Sequence, residues 1–135
     1  MIFGTFDIVH HGHMNLFLQA KKHGERLVVV VARDTRVKEL KKDKPVHTEK
    51  ERKKFLEQIR YIDEVLLGDK KDVYAVIKKI KPNIIVLGYD QKFFIDTLES
   101  KIHEFGLTTK VIRAKPYKHS NLKSKKIKEI LQKNT

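Results

Sequence analysis

The run Leu27-Val28-Val29-Val30-Val31-Ala32 is apolar at every position and β-branched through its centre. A strand with one wet face alternates apolar with polar residues, so an unbroken apolar run belongs to a strand covered on both faces. It is also far too short to cross a bilayer. Such strands occur in parallel sheets flanked by helices, which demands that strand-like and helical segments alternate along the chain.

They do. Ile2-Phe3 reads as a clipped first strand ended by Gly4, and residues 13–23 as a helix with Met14, Phe17 and Leu18 on one face, stopped by Gly24. Thr48-x-x-Glu51 is a capping box opening a helix whose inner face is Phe55, Leu56 and Ile59. Glu64 to Leu67 is a strand ended by Gly68; Asp72 caps a helix through Ile80, and Pro82 blocks its continuation. Ile84 to Leu87 is a strand ended by Gly88; a helix over 93–105 closes at Gly106, and Lys110 to Ile112 is the fifth strand. A basic amphipathic helix at about 123–132 places Ile127, Ile130 and Leu131 inward. The expectation is an α/β fold of Rossmann-like type: a three-layer sandwich with a five-stranded parallel sheet and helices on both faces. One domain spans residues 1–135, with right-handed crossovers.

Composition narrows the function classes. Cysteine is absent, which excludes disulfides and thiolate metal sites. No targeting stretch opens the chain, and a cytoplasmic protein with no membrane partner is expected. The formal net charge of +13 attracts polyanions without naming one. The lysines are scattered, which more often marks a solvated surface than a binding face. A nucleic-acid partner is not expected, because a reading helix, an aromatic RNA-binding strand and a zinc finger are all lacking.

In parallel sheets, ligands bind beyond the carboxyl ends of the strands. That rule selects Gly4-Thr5-Phe6-Asp7, Arg33-Asp34, Gly68 and Gly88-Tyr89-Asp90. The densest segment is Gly4-Thr5-Phe6-Asp7-Ile8-Val9-His10-His11-Gly12-His13, where a strand gives way to a helix near Gly12. A helix N-terminus offers unpaired N–H groups and partial positive charge, which suit a phosphate. His10 and His13, three apart, can face the same bound group, and Gly12 lets a nucleotide approach the backbone. Two other readings stay open: a metal site, with Asp7 as a third ligand, and a purely structural role for the histidines.

His10-His11-Gly12-His13 after Gly4-Thr5-Phe6-Asp7 resembles the HxGH signature of the cytidylyltransferase-like nucleotidyltransferase superfamily. Arg60-Tyr61-Ile62-Asp63-Glu64-Val65 resembles a segment of bacterial glycerol-3-phosphate cytidylyltransferases. Val31-Ala32-Arg33-Asp34 and Val86 through Phe94 are more similar to archaeal FAD synthases, and Lys126-Ile127-Lys128-Glu129-Ile130 resembles the end common to both. The resemblance covers nearly the whole chain, with a first strand shorter than is usual there.

The resemblance implies AMP transfer from ATP to FMN, giving FAD and pyrophosphate. The alternative is a CTP-dependent enzyme acting on glycerol 3-phosphate or another small phosphorylated acceptor. It implies Mg²⁺ or another divalent cation with the triphosphate, no metal ligand of the protein's own, and commonly a homodimer. Carried over by position, Thr5 and Phe6 meet the nucleotide through their backbones, with His11 and Gly12 beside them. His10 and His13 donate to the phosphates. Asp90 holds the ribose or base, or is an ordinary turn residue. Lys44 closes over the β- and γ-phosphates, or is a solvated loop lysine. Arg52 contacts the triphosphate, or is a surface arginine. Arg60 belongs to the family-like segment, or pairs with Asp63 or Glu64. Where the family has an arginine and an ISTT-like run, this chain has residues 117–125 instead; there Tyr117 is expected to stack on or hydrogen-bond the base, and Ser124 to cap the last helix and touch phosphate.

Overall fold

The computed structural model describes residues 1–41, 45–92 and 95–117, with side chains left aside at 40–41 and 95–96. Strands and helices alternate: β1 (Ile2–Gly4), α1 (His11–Lys21), β2 (Val28–Val31), α2 (Asp34–Lys41), α3 (Glu49–Glu57), β3 (Glu64–Leu67), α4 (Ala75–Ile80), β4 (Ile84–Leu87), α5 (Ile95–Glu104) and β5 (Lys110–Arg113). All strand pairs are parallel.

The valine run is buried at every position, as expected, and its period of two divides the core. Val29 and Val31 join Ile2, Phe17, Ala20, Leu56 and Val86 on one face. Val28 and Val30 join Phe3, Ile77, Ile85, Leu87, Leu98 and Ile102 on the other. Thus α1 and α3 cover one side and α4 and α5 the other, which makes three layers.

The expected single five-stranded sheet is corrected. Hydrogen bonding divides the strands into β1-β2-β3 and β4-β5. The two groups abut where β4 lies beside β1, joined by Val86 N–H to Met1 O at 3.0 Å and by the Met1 amino group to Ile84 O at 2.8 Å. β1 pairs along its three residues with β2, and these bonds to β4 are made by Met1, just before it. At its far end, the Gln91 side-chain amide reaches Phe3 O at 3.3 Å in place of a strand bond.

Three local expectations also change. The helix α2 was not expected; it begins at Asp34, whose backbone N–H is capped from outside by Glu49. Phe55 and Leu18 are 57% and 40% exposed, so the inner faces are Arg52 and Leu56 on α3, and Phe17 and Ala20 on α1, with Met14 and Ile59 packed against the same core as expected. Asp72 accepts from Tyr74 N–H rather than capping α4, which starts at Ala75. The helix expected at 123–132 lies outside the described residues.

Candidate active site

Three carboxyl-end segments meet around the first strand-to-helix junction. Two rings there each rest on a glycine. The Phe6 ring lies over Gly4, where a Cβ would come within 2.7 Å of it. The His10 ring lies over Gly12, where a Cβ would come within 2.8 Å. The space above Gly12, expected to admit a nucleotide, is therefore filled by His10. Phe6 has φ of 52°, a left-handed conformation costly for a non-glycine residue and kept where the surroundings impose it.

His10 and His13 form a reciprocal cap on α1. His10 Nδ1 accepts from Gly12 N–H at 3.0 Å, and His13 Nδ1 accepts from His10 N–H at 3.2 Å. A nitrogen that accepts from a backbone N–H carries no proton, so each imidazole bears its proton on Nε2. The rings lie 4.1 Å apart at 32°. His10 Nε2 is buried and has no hydrogen-bond partner among the described residues. Leaving such a donor unpaired costs about 1–3 kcal/mol, which a bound acceptor would recover. Burial, and secondarily the neighbouring His11 charge, hold the His10 pKa below its ordinary 6.5. It therefore remains a neutral donor at physiological pH. His11 itself is exposed at the first position of α1.

Arg52 is fully buried. Its Nη1 donates to Thr5 O at 2.7 Å, its Nε to His47 O at 3.2 Å and its Nη2 to Asp34 Oδ1 at 2.7 Å. The guanidinium thus joins the ends of β1 and β2 to the entry of α3, and its side chain is withheld from solvent. Asp7, also buried, accepts from Val46 and His47 N–H at 2.7 and 2.8 Å, fixing the end of the connector that contains Lys44. Lys44 itself lies outside the described residues.

Asp34 and Glu49 cap each other's helices. Glu49 N–H donates to Asp34 Oδ2 at 3.1 Å, and Asp34 N–H donates to Glu49 Oε1 at 3.0 Å. Arg33 ties this pair to β3 through Glu49 Oε2 at 2.7 Å and Gly68 O at 2.6 Å. Burial would raise the Glu49 pKa, but the Asp34 N–H and the Arg33 guanidinium outweigh it and hold it low. Sequence reasoning weighed Asp7 as a strand-end residue and metal ligand, and Arg33-Asp34 as a strand-end segment similar to that of archaeal FAD synthases. It missed His47 and Glu49, whose partners lie 15 or more residues away.

Asp90 is exposed in the turn after β4. That turn is held from two sides: Gln91 Oε1 accepts from Gly88 N–H at 3.1 Å, while Arg113 Nη1 donates to Gly88 O, Tyr89 O and Gln91 O at 2.8, 3.3 and 3.1 Å. Tyr117 is half-buried, shortly after Lys115, whose backbone is clamped to Gln19 on α1 in both directions at 2.9 and 3.0 Å. Asp63 and Glu64 pair with Lys21 and Arg26 rather than with Arg60. Ser124 lies outside the described residues. No helix among the described residues is long and apolar enough to cross a membrane.

Together these features define a doubly wound α/β domain with an anion-ready corner at its first crossover. A family model described as Cytidylyltransferase-like matches residues 1–130, and the chain belongs to that family. Proteins called FAD synthase are similar to it. That of Ferroglobus placidus is 44% identical over 82% of this chain and 71% of its own length. That of Aciduliprofundum boonei is 43% identical over 90% and 81%, and that of Methanohalophilus mahii 42% over 96% and 91%. A solved structure, the lipopolysaccharide core biosynthesis protein of Thermoplasma volcanium, superposes with a TM-score of 0.81 at 39% identity, covering 87% of this chain and 95% of that one.

Proposed function

We propose that this chain is an FAD synthase, transferring AMP from ATP to FMN with release of pyrophosphate. The similarity to proteins of that name supports the acceptor. The observation that carries the chemistry is the buried His10 Nε2 at the entry of α1, which has no hydrogen-bond partner among the described residues. In the reaction, an FMN phosphate oxygen attacks the α-phosphorus of ATP in line, the bond to the β-phosphate oxygen breaks, and pyrophosphate leaves with the electron pair. No covalent enzyme intermediate is needed, so positioning and charge stabilisation supply the rate.

His10 and His13 donate from Nε2 to the phosphate oxygens as negative charge builds. Thr5 and Phe6 present backbone groups to the nucleotide, with His11 and Gly12 at the helix entry beside them. Arg52 acts one step back: it holds Thr5 O and the α3 entry in place. Lys44 closes over the β- and γ-phosphates, Asp90 holds the ribose or base, Tyr117 stacks on the base, and Ser124 reaches phosphate. The match over residues 1–130 supports reading the chain as one nucleotidyltransferase domain.

The nearby carboxylates Asp7 and Asp34 already accept from backbone N–H groups and Arg52. Among the described residues no group of three or more His, Asp or Glu side chains could hold an ion. A divalent cation would come in with the triphosphate rather than on ligands of this set, and would neutralise phosphate charge when bound.

Labelled ATP offered with FMN, phosphopantetheine, nicotinamide mononucleotide and glycerol 3-phosphate should label only FMN, and titration should show ATP binding far more tightly than CTP. The resemblance of Arg60 to Val65 to glycerol-3-phosphate cytidylyltransferases favours the second reading, a CTP-dependent enzyme with a small acceptor. A preference for CTP, with label passing to glycerol 3-phosphate, would establish it instead.

A further inference from the structure

The strands β1 and β4 abut where the path of the chain divides. After β1 it passes to α1 on one face of the strands, and after β4 to α5 on the other. In parallel α/β folds, the crevice beyond the carboxyl ends of two such strands is where a ligand enters. Met1 sets the register of this pair, because its amino group donates to Ile84 O and its carbonyl accepts from Val86 N–H. Bonds along a parallel pair are evenly spaced, so two residues on the next one would run from Gly88 N–H to Phe3 O. Gly88 N–H is engaged otherwise. It donates to Gln91 Oε1 at 3.1 Å, and Gln91 Nε2 donates to Phe3 O at 3.3 Å. A side-chain amide thus takes the place of one strand bond, serving the same donor and the same acceptor while keeping them apart. The turn that carries it is fastened as it leaves β4: Gln91 N–H returns to Gly88 O at 3.1 Å, and Arg113 holds the carbonyls of Gly88, Tyr89 and Gln91.

We infer that Gln91 is a positioning residue, a spacer that parts β1 from β4 at their carboxyl ends and so sets the width of the crevice that receives the nucleoside triphosphate. This rests on the reading of the first crossover as the nucleotide site. Gln91 acts through the backbone of Phe3 and Gly88, which lead directly into Gly4-Thr5-Phe6 on one side and Tyr89-Asp90 on the other. A direct bond would bring Gly88 N and Phe3 O to about 3 Å, whereas the bridged pair is separated by a whole amide group. The direct bond would also satisfy both groups without the entropy cost of ordering a glutamine side chain. Stability alone does not call for the amide; an opening held at a set width does.

The test compares two variants of the full chain. Gln91→Ala removes the spacer and lets Gly88 N–H reach Phe3 O. We expect KM for ATP to rise about 10-fold, with kcat changed less than about threefold and a melting temperature no lower than that of the wild type. An NMR scalar coupling across the new hydrogen bond should appear between the Gly88 nitrogen and the Phe3 carbonyl carbon. Gln91→Met keeps the bulk without the two bonds. It should recover most of the ATP affinity, although it is the less stable of the two variants. An amide that merely braced the fold would give another pattern, with stability and ATP affinity falling together in both. A Gln91→Ala chain that loses stability or fails to fold, with no such coupling, would overturn the proposal, and so would an unchanged KM for ATP. The reading of the reaction fails separately. If the wild type passes no AMP to FMN, while titration shows weaker ATP binding in Gln91→Ala and the coupling appears, the FAD synthase assignment falls and the spacer stands.

Discussion

Two helices of this domain open with the same device made of different side chains. At α3, Thr48 accepts from Glu51 N–H at 3.2 Å, and Glu51 reaches back to Thr48 N–H at 3.0 Å. At α1, His10 and His13 make the equivalent pair of bonds through their Nδ1 atoms. The Thr–Glu box is exposed and serves its helix. The His–His box spends one nitrogen of each ring on the helix and keeps the other, with its proton, on the far side. Replacing a hydroxyl and a carboxylate by two imidazoles turns a cap into a cap with a donor. Stability and chemistry therefore reside in the same side chains at α1 and are separate at α3.

The sharpest break of that comparison is at His10. His10→Ala and His13→Ala should each lower turnover about 10²-fold or more, as loss of a transition-state donor does elsewhere. Each also removes half a cap. His10→Asn separates the two losses, because asparagine is a good N-cap but offers no group in the place of Nε2. We expect it to lose turnover as severely as His10→Ala while melting close to the wild-type temperature. An active His10→Asn enzyme would mean that the box at α1, like the one at α3, only caps.

Arg52 underlies both boxes, since it holds Thr5 O before α1 and His47 O before α3. Arg52→Met fills similar space without the donors, leaving two carbonyls and the Asp34 carboxylate short of a partner. Denaturant titration should show a loss of about 2 kcal/mol, accompanied by a raised KM for ATP. A loss of activity with unaltered stability would instead favour direct contact between Arg52 and the triphosphate.

How much of this was legible beforehand follows from the range of each interaction. The valine run, the glycines after the strands and the Thr48–Glu51 box are local patterns, and the structure carries them out. The parallel three-layer arrangement follows from them, and so does the meeting of Thr5, Phe6, His10 and His13, which lie within nine consecutive residues. The break between β1 and β4 was not legible, because it depends on the Gln91 side chain reaching both Gly88 N–H and Phe3 O in the folded chain. Neither was α2, whose start at Asp34 is stabilised by Glu49, 15 residues on. Arg52 shares a helical face with Leu56, which placed it inward or along the rim. That it would be sealed there by carbonyls from two other segments required the tertiary fold.

Thr48→Ala is the control for the comparison. It should cost about 1 kcal/mol of unfolding free energy and leave kcat unchanged, because the α3 cap carries no donor to the site. Equal losses of turnover at Thr48 and His10 would erase the distinction between the two boxes.

The smallest effect concerns pH, and it comes from the side chains themselves. Thr48 N–H and hydroxyl hold the Glu51 carboxyl below its ordinary 4.5, so the α3 box persists to below that pH. The α1 box should open sooner, since a proton added to His10 Nδ1 ejects the Gly12 N–H it accepts from. Burial, then His11, set the His10 pKa below 6.5. The unfolded chain therefore binds this proton first as pH falls. The contribution of neutral His10 to stability is complete above about pH 6.5 and is lost between there and the lower folded value. His11→Ala removes the second cause and leaves the first, so the His10 pKa should move up while staying below 6.5. The acid limb of kcat/KM should follow it toward neutrality, while the pH at which α3 loses its cap stays put. An acid limb that does not move, or moves to lower pH, would show that the charge at His11 does not reach the cap, and that burial alone keeps His10 neutral.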